Sequence, residues 1–419
     1  MKKHKEIIIC SLLTALLGAV IGITSGVFGR LLHLAEEIRS EYYIFIVPFL
    51  GIAGMGMLFL YKHISPNSEQ GLNLAIAYNM GKATDDGKVD KKTHKQRLGK
   101  FPKAYAPLKL LSNLIMLFFG ASTGKEGSFA AFGASIGDYL ARISKSRRYS
   151  HVLLISGVAA AVSGLFQTPL GGMFFALEFT VAGIMVYSML IPTFICAFTA
   201  FFFSRLCGYT AFYHAVSANM DINIQNIAAL LCASLIFGLT GKLFAVILNK
   251  SHNIYRRKIK NRYLAILIFG SVMAVIFILF GGRYCGTGAN IISDVFINNH
   301  YNVYDFVLKF VFTIICIVIG YTGGEMMPLL TIGATLGALM STITGLPFEL
   351  TAAMGCVAVY ASATNTLVAP IFIGIEMFGT DASLFIAASC IIAYAINGKD
   401  SVYTMQGHIT KNIYRRLNK

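Results

Sequence analysis

Long apolar stretches, separated by short polar breaks, make up most of the chain. Several have the roughly 20 residues that an α-helix needs to cross a bilayer, but many are shorter and are interrupted by glycine or proline. Non-helical backbone is tolerated in a membrane only inside protein or beside a water-filled path. The pattern therefore predicts an all-α polytopic membrane protein with broken helices. The predicted apolar segments are residues 6–33, 42–63, 104–120, 128–143, 152–166, 169–204, 223–250, 263–281, 303–320, 328–346, 349–363, 366–379 and 381–397.

Two of the breaks are similar to each other. Residues 120–137 read GASTGKEGSFAAFGASIG, and residues 320–337 read GYTGGEMMPLLTIGATLG. Glycines recur in the same frame at an offset of 200 residues. Each copy carries a carboxylate at the break, Glu126 in the first and Glu325 in the second. In a membrane protein this combination is typical of a transport site.

A second pair of segments repeats at nearly the same offset. Residues 157–178 and 355–376 align without a gap, at an offset of 198 residues, and both end in glutamate. Because two independent segments agree, chance similarity is improbable, and we expect two membrane repeats without a soluble domain. Hydropathy alone leaves open whether the repeats are parallel or inverted. Their expected boundaries are residues 1–212 and 213–419.

Composition supports the same class of protein. Of the 419 residues, 56% are hydrophobic and 13% are charged, with a mean hydropathy of +0.67, and a soluble domain could not cover so much apolar surface. The net charge is +16, but the basic residues gather in short polar segments. That distribution indicates positive-inside topology rather than a nucleic-acid partner. We expect a multi-pass protein of the cell membrane, in contact with lipid, with both termini and the loop 81–103 in the cytoplasm.

No metal, other cofactor or enzymatic reaction is expected. The eight cysteines have no CxxC or metal-ligand spacing and lie within apolar runs, so we interpret them as packing residues. The metalloprotease motif HExxH is absent, and no Ser-Lys or Asp pair occurs in a suitable setting. These observations favour a transporter over an intramembrane enzyme.

Carboxylates within the apolar runs are the strongest candidates for function, because a charge inside a membrane is costly unless it is paired, solvated or protonated. Glu126 and Glu325 lie beside glycine at predicted helix starts, where free N–H groups and the positive end of the helix dipole form an anion site. A carboxylate there would compete with a diffusible anion, and its protonation would release the site. For Glu178 and Glu376 we favour a structural role as hydrogen-bond acceptors of loop amides.

Two further residues have competing interpretations. Lys125 is either a charge at the pore mouth that attracts anions or a lysine whose side chain reaches toward the membrane surface. Tyr403 follows the last long apolar run and would ordinarily be an interfacial aromatic residue. Residue type alone does not decide either case.

The motif GKEGS at residues 124–128 resembles GKEGP or GREGP, which carries the gating glutamate in the CLC family of chloride channels and proton-coupled anion antiporters. The segment GGEMMP at residues 323–328 resembles that family's GxFxP stretch, and TPLGGMFFALE resembles its APLAGxLFxxE stretch. Tyr403 matches the family's tyrosine near the chain end. The resemblance covers roughly residues 70–410. It implies a CLC-type fold of about 18 helical segments in two inverted repeats, and a homodimer with one pathway per subunit.

Three departures from the family pattern resemble one branch of it. Leu72, in the stretch Gln70 to Leu74, stands where the family's GSGIP stretch supplies a serine hydroxyl to the chloride site. Phe179 stands where chloride/proton antiporters commonly have a second, internal glutamate, and Glu325 adds a carboxylate to the GxFxP stretch. Together these changes resemble the bacterial fluoride-exporting antiporters. That branch often has methionine at the position of Leu72 and threonine at the position of Met327.

The expected function is the secondary active exchange of fluoride for protons. Fluoride is a strong hydrogen-bond acceptor to which a protonated carboxylic acid can donate, whereas loss of the hydroxyl at position 72 disfavours chloride. In this hypothesis Glu126 gates and carries protons, and Glu325 assists it. The first alternative is a chloride channel or chloride/proton antiporter of the same fold, and the second is a cation or organic-substrate transporter. The residues expected to bind the anion are Gly124, Lys125, Gly127, Leu72, Asn73, Met326, Met327 and Tyr403.

Overall fold

A computed structural model of the chain describes residues 2–65, 69, 71–80, 101–102, 104–144, 149–218 and 220–408. The predicted cytoplasmic loop 81–103 lies outside the described residues except at 101–102, and the end of the chain after residue 408 lies outside them as well. The described part is almost entirely α-helical. Its helices are α1 (Lys2–Glu41), α2 (Tyr43–Ile46), α3 (Leu50–Ile64), α4 (Gly71–Asn79), α5 (Tyr105–Phe118), α6 (Glu126–Ile143), α7 (Ser150–Phe166), α8 (Pro169–Glu178), α9 (Leu190–Leu206), α10 (Ile224–Lys258), α11 (Arg262–Leu279), α12 (Ala289–Ile297), α13 (Asp305–Ile319), α14 (Met326–Thr344), α15 (Phe348–Thr364), α16 (Val368–Phe378) and α17 (Ser383–Asn397).

The helices differ in length as the broken apolar pattern predicts. In the described part, six helical segments are long and apolar enough to cross a membrane, while five further apolar helices have only 10–17 residues. Two of the short ones, α7 and α15, are buried along nearly their whole length. Their ends therefore lie inside protein, where polar backbone groups can be paired away from lipid.

Left-handed residues end the central helices at matching positions. Gly120 follows α5 with φ 95°, and Gly320 follows α13 with φ 105°. Gln167 follows α7 with φ 56°, and Asn365 follows α15 with φ 54°. A helix commonly ends in this conformation, which glycine adopts without strain and asparagine tolerates. The glycine frame thus predicted two of these four ends, whereas Gln167 carried no such signal.

Several helices differ from the hydropathy prediction. The apolar run 169–204 is two helices, because α8 ends at Glu178 and a turn through Gly183 at φ 74° precedes α9. The first helix continues to Glu41 rather than ending near residue 33. The nine-residue helices α4 and α12 start in polar, glycine-rich sequence, which the apolar runs did not include.

The order of elements in the first half recurs in the second. The pairs α4 and α12, α5 and α13, α6 and α14, α7 and α15, and α8 and α16 occupy corresponding places in the chain. Repeated glycines bring two of these helices against their neighbours. A side chain at Gly133 in α6 would collide with the carbonyl of Gly157 in α7, and one at Gly333 in α14 would collide with that of Gly355 in α15. These glycines therefore serve close helix packing.

Glu178 of α8 and Glu376 of α16 each cap the N-terminus of the other helix, and we call this pair of contacts the exchanged caps. The Glu178 carboxylate at the end of α8 accepts hydrogen bonds from the N–H groups of Val368 and Ala369, both at 3.0 Å, at the start of α16. Conversely, Glu376 in α16 accepts from Leu170 and Gly171 at 2.9 and 2.8 Å, at the start of α8. Each carboxylate satisfies donors that a helix start leaves unpaired. The predicted structural role is confirmed, although the donors are helix N-termini rather than loop amides.

A short parallel pairing fixes the end of the described chain. Strand β1 (Val181–Ala182), just after α8, pairs with strand β2 (Gly407–His408). The segment between α17 and β2 carries Tyr403, and this pairing returns it to the centre of the molecule. The last described segment, which ends at His408, is therefore joined to the helical core.

Candidate functional site

The two glycine-rich breaks touch each other. The N–H of Gly124 donates to the carbonyl of Gly324 at 2.5 Å, and the N–H of Gly324 donates to the carbonyl of Gly124 at 2.7 Å. A Cβ on Gly127 would lie 2.8 Å from the Cα of Gly324, and one on Gly324 would collide with the Gly127 nitrogen. Only glycine allows this approach, which brings the starts of α6 and α14 together. Because the Gly124 N–H is used in the bridge, it is not free to bind an anion in this arrangement.

Asn113 supports this bridge from α5. Its side chain is fully buried, and its Nδ2 donates to the carbonyl of Gly124 at 3.1 Å. The carbonyl of Gly124 thus accepts two hydrogen bonds, one from each repeat of the sequence. The sequence carried a weak signal for this residue, since an asparagine within an apolar helix needs a partner.

Glu126 reaches the start of the opposite helix. It is the first residue of α6, its side chain is 2% exposed, and its Oε2 accepts from the N–H of Met327 at 3.4 Å. Its Oε1 is buried without a hydrogen-bond partner. Met327 lies in the first turn of α14 and, like Met326 before it, is buried. The carboxylate therefore occupies a position at a helix N-terminus that favours an anion.

Glu325 lies directly before α14 and faces two tyrosines. Its carboxylate interacts with the hydroxyl of Tyr403, which in turn interacts with the hydroxyl of Tyr360 on α15. The Tyr360 ring is fully buried, and its hydroxyl lies within electrostatic range of Glu325, Glu126 and Glu178. Tyr360 is a site residue that the sequence analysis did not include. A tyrosine in an apolar helix was the available signal, but many such residues only pack.

Leu72 and Asn73 lie at the start of α4, and Asn73 holds the segment that carries Tyr403. The Asn73 Oδ1 accepts from the N–H of Met405 at 3.2 Å and from the Thr404 hydroxyl at 3.5 Å. The side chain of Leu72 is buried in the cluster that also contains Tyr403, Met326 and Met327. The predicted positions on α4, on α14 and near the chain end are thus brought into one region.

Lys125 is tied to an aromatic side chain. Its Nζ donates to the hydroxyl of Tyr209 at 2.9 Å, and that hydroxyl donates to the carbonyl of Leu165 at 2.9 Å. The ammonium also lies 5.6 Å from the centre of the Tyr209 ring. In this arrangement the lysine is neither a free charge at a pore mouth nor one that reaches toward lipid headgroups.

Two buried lysines occupy equivalent places in α5 and α13. Lys109 donates to the carbonyl of Glu69 at 3.0 Å, and Lys309 donates to the carbonyl of Gly286 at 2.8 Å. Both side chains are fully buried. A lysine inside a membrane protein is costly unless its nitrogen is paired, and both nitrogens are paired with backbone carbonyls here. The signal was present in the sequence, because a lysine follows leucine in both helices at the 200-residue offset.

The first break also contains the spacing of a serine-hydrolase elbow, which the sequence analysis did not note. Gly120, Ser122 and Gly124 follow the GxSxG pattern. However, the Ser122 hydroxyl is buried and lies 3.3 Å from that of Thr313. An elbow serine is exposed and faces a histidine, so this pattern is a packing contact. Among the residues that the structure describes, no three His, Cys, Asp or Glu side chains are grouped to hold a metal ion.

Comparison with known proteins identifies the family. The family model described as "Voltage gated chloride channel" matches residues 83–398. The chain belongs to this family. A "Chloride/fluoride channel protein" of Pseudomonas syringae pv. tomato is 30% identical over 406 residues, which is 94% of this chain and 86% of the relative. The "H(+)/Cl(-) exchange transporter ClcA" of Yersinia pseudotuberculosis is 23% identical over 351 residues, covering 78% of this chain and 70% of the relative.

Solved structures agree with the fold prediction. The crystal structure of a CLC-type fluoride/proton antiporter superposes with a TM-score of 0.90 and 33% identity, over 96% of this chain and 99% of that one. A slow cyanobacterial Cl-/H+ antiporter gives a TM-score of 0.78 at 19% identity, over 98% of each chain, which is a likeness of fold alone. The predicted all-α CLC-type membrane fold is confirmed.

Proposed function

We propose that this family member exchanges fluoride for protons and thereby exports fluoride. The observation that carries the proposal is the placement of the Glu126 carboxylate on the Met327 N–H at the start of α14. An anion-binding position is thus occupied by a group that a proton can neutralise. The similarity to the CLC-type fluoride/proton antiporter supports the same activity.

Coupling follows from competition at one helix end. When Glu126 is ionised, its carboxylate occupies the amide and excludes a diffusible anion. When it is protonated, it loses most of its attraction to the helix start, and the anion can take its place. Each proton that binds therefore admits an anion, and each departing anion favours release of the proton.

The carboxylate of Glu325 supplies a second proton position near the same amides. Because Phe179 stands where many antiporters of the family have an inner glutamate, the inner proton step needs another group. Glu325 interacts with the Tyr403 hydroxyl, and Tyr403 lies on the segment held by Asn73. We propose that Glu325 accepts the proton from Glu126 and donates a hydrogen bond to fluoride. Protonated acids are strong donors to a small basic anion.

We assign the selectivity for fluoride over chloride to Leu72, the apolar residue at the start of α4. Leu72 is buried and offers no hydroxyl to a larger anion, so chloride would be left without the donor that the family's serine supplies. Leaving a buried ion without its partner typically costs about 1–3 kcal/mol or more. The proposed anion donors are the amides around Gly127, Met326 and Met327. Lys125 contributes charge from its position on Tyr209.

The remaining expectations are proposals about assembly and placement. We infer that residues 1–212 and 213–419 are inverted repeats, because equivalent glycines pair with each other in antiparallel fashion, as they would about a two-fold axis. We also propose a homodimer embedded in cell-membrane lipid, with both termini in the cytoplasm. The basic polar segments support that orientation.

Purified protein in liposomes tests the function directly. Fluoride efflux, chloride efflux and proton uptake are measured in parallel on the wild type. Expected is fluoride efflux with opposite proton movement, and much slower chloride efflux. Chloride efflux at least as fast as fluoride efflux would instead assign the chain to the chloride pathway of the same fold, to which the names of several relatives point.

A further inference from the structure

A cavity lies at the C-terminal end of α1. Its volume is about 300 Å³, and its walls include Glu36 and Arg39 from α1 and Arg283 and Thr287 from the loop before α12. With the N-terminus in the cytoplasm, this end of α1 faces the outer solution. Protons that drive fluoride export would approach from this side.

Glu36 is held in a defined position in this cavity. Its Oε1 accepts from the Thr287 hydroxyl at 2.9 Å, and that hydroxyl accepts from the N–H of Ala289 at 3.3 Å. Ala289 is the first residue of α12. The carboxylate is half-buried, so it is open to solvent and also fixed relative to the helix framework.

The carboxylate of Glu36 acts electrostatically on the gate. It interacts with Glu126 and with Lys125, the residue before it. On α1, His33 packs its ring edge-on against Tyr209 at 5.3 Å, and it interacts with both Glu36 and Lys125. The Oε1 of Glu126 is buried and without a hydrogen-bond partner, so it has a free position for a proton.

Cationic side chains near Glu36 and Glu126 repel a proton that moves from the outer solution toward Glu126. Lys125 interacts with Glu126 and Glu36, and Lys309 interacts with Glu36 and Arg39. A negative charge that interacts with both lysines lowers the repulsion that a proton meets. The charged and titratable groups near Glu36 are His33, Glu37 and Arg39 on α1, Lys125 and Glu126 at the start of α6, Arg283 and Cys285 in the cavity wall, and Lys309 on α13.

We propose that Glu36 is the outer proton-transfer residue of this transporter. Its carboxylate takes a proton from the outer solution and passes it through water in the cavity to the carboxylate of Glu126. Glu36 then returns to its ionised form, and Glu126 becomes neutral and leaves the Met327 amide. The inference rests on the proposed proton-coupled function and adds a residue outside the motifs that define the site.

Proton uptake at several symmetric pH values tests this assignment, because equal pH on both sides removes the effect of mixed orientation in liposomes. For Glu36→Gln we expect proton uptake to be about tenfold slower at and above neutral pH. This loss is smaller than the roughly 10²–10⁴-fold rate contribution of a positioned proton donor, because water still offers the proton a slower route. At acidic pH the loss shrinks, since protons are then abundant. Glu36→Asp keeps the carboxylate and should stay within about twofold of the wild type.

Glu41→Gln is the matched control, since it removes the same charge from the exposed end of the same helix. It should leave the pH profile unchanged, and equal melting temperatures of all variants exclude misfolding. An unchanged profile for Glu36→Gln overturns the inference, as does a Glu36→Asp variant as slow as Glu36→Gln. Absence of proton uptake in the wild type overturns the proposed function itself and this inference with it.

Discussion

Oε2 of Glu126 accepts a hydrogen bond from the N–H of Met327 at 3.4 Å, so a carboxylate from one half of the chain occupies a helix start in the other half. The contact crosses the Gly124–Gly324 bridge, which holds the two helix starts at a fixed separation. The gate and the anion position thus belong to different halves of the chain, whose helix starts are joined by the backbone hydrogen bonds of this bridge.

Replacing Glu126 by glutamine should uncouple transport. The amide side chain is close in shape but cannot take up and release a proton, so the helix start would no longer respond to protonation. We expect proton uptake to fall to background while fluoride still crosses the membrane. Simultaneous fluoride-electrode and pH recordings on liposomes measure both. Coupled exchange that survives Glu126→Gln rules out the gating role.

Replacing Gly324 by alanine should disrupt the site. The added methyl would collide with the Gly127 nitrogen, which must move and break the bridge. We expect at least a tenfold loss of fluoride flux and a loss of about 1–3 kcal/mol in the free energy of unfolding.

The control for that substitution is Gly56→Ala in α3, where an added Cβ meets nothing within 4 Å. It should preserve flux and raise stability by up to about 1 kcal/mol. Equal flux in the two variants would show that the close approach of Gly324 is not required.

Glu376→Gln should lower stability without changing the anion site. The substitution replaces one of two acceptor oxygens by an amino group that faces the N–H groups at the start of α8. Loss of such an acceptor typically costs about 1–3 kcal/mol, which thermal unfolding in detergent would detect. Asp381→Asn, at an exposed position, should change stability by less than about 0.5 kcal/mol. A smaller effect at Glu376 than at Asp381 contradicts the exchanged-cap interpretation.

Asn73→Leu should release the segment that carries Tyr403. The substitution removes the acceptor of the Met405 N–H and the Thr404 hydroxyl, so amide hydrogen exchange at residues 402–407 should become faster. Asn73→Asp retains an acceptor and should keep most of the protection. Fluoride flux should follow the same order, because Tyr403 faces Glu325. Unchanged protection in Asn73→Leu would falsify the role of Asn73 in holding the segment that carries Tyr403.

Sequence patterns predicted the broken helices and the central motif because these depend on local chemistry. Gly120 and Gly320 adopt the left-handed conformations that their residue type suggests, and Glu126 begins a helix as expected. The fold class followed from the length and interruption of the apolar runs and from family resemblance. Each of these features depends mainly on the types of a few residues that are adjacent in the sequence.

Contacts between distant segments were not predictable in the same way. Asn113 and Tyr360 become site residues only when α5 and α15 are brought against the two breaks. The ammonium of Lys125 meets Tyr209, which lies 84 positions away. Hydropathy also merged α8 and α9, since the turn between them is nearly as apolar as the helices. The contacts of Asn113, Tyr360 and Lys125 depend on long-range packing that no local pattern encodes.

The exchanged caps of α8 and α16 have a consequence for synthesis. When α8 leaves the ribosome, its partner Glu376 is about 200 residues away, and at 5–20 residues per second it follows roughly 10–40 s later. During that interval Leu170 and Gly171 lack the acceptors that they have in the finished protein. Until the second half is synthesised, the N–H groups at the start of α8 must therefore be paired with other acceptors, such as water, the insertion machinery or other chains.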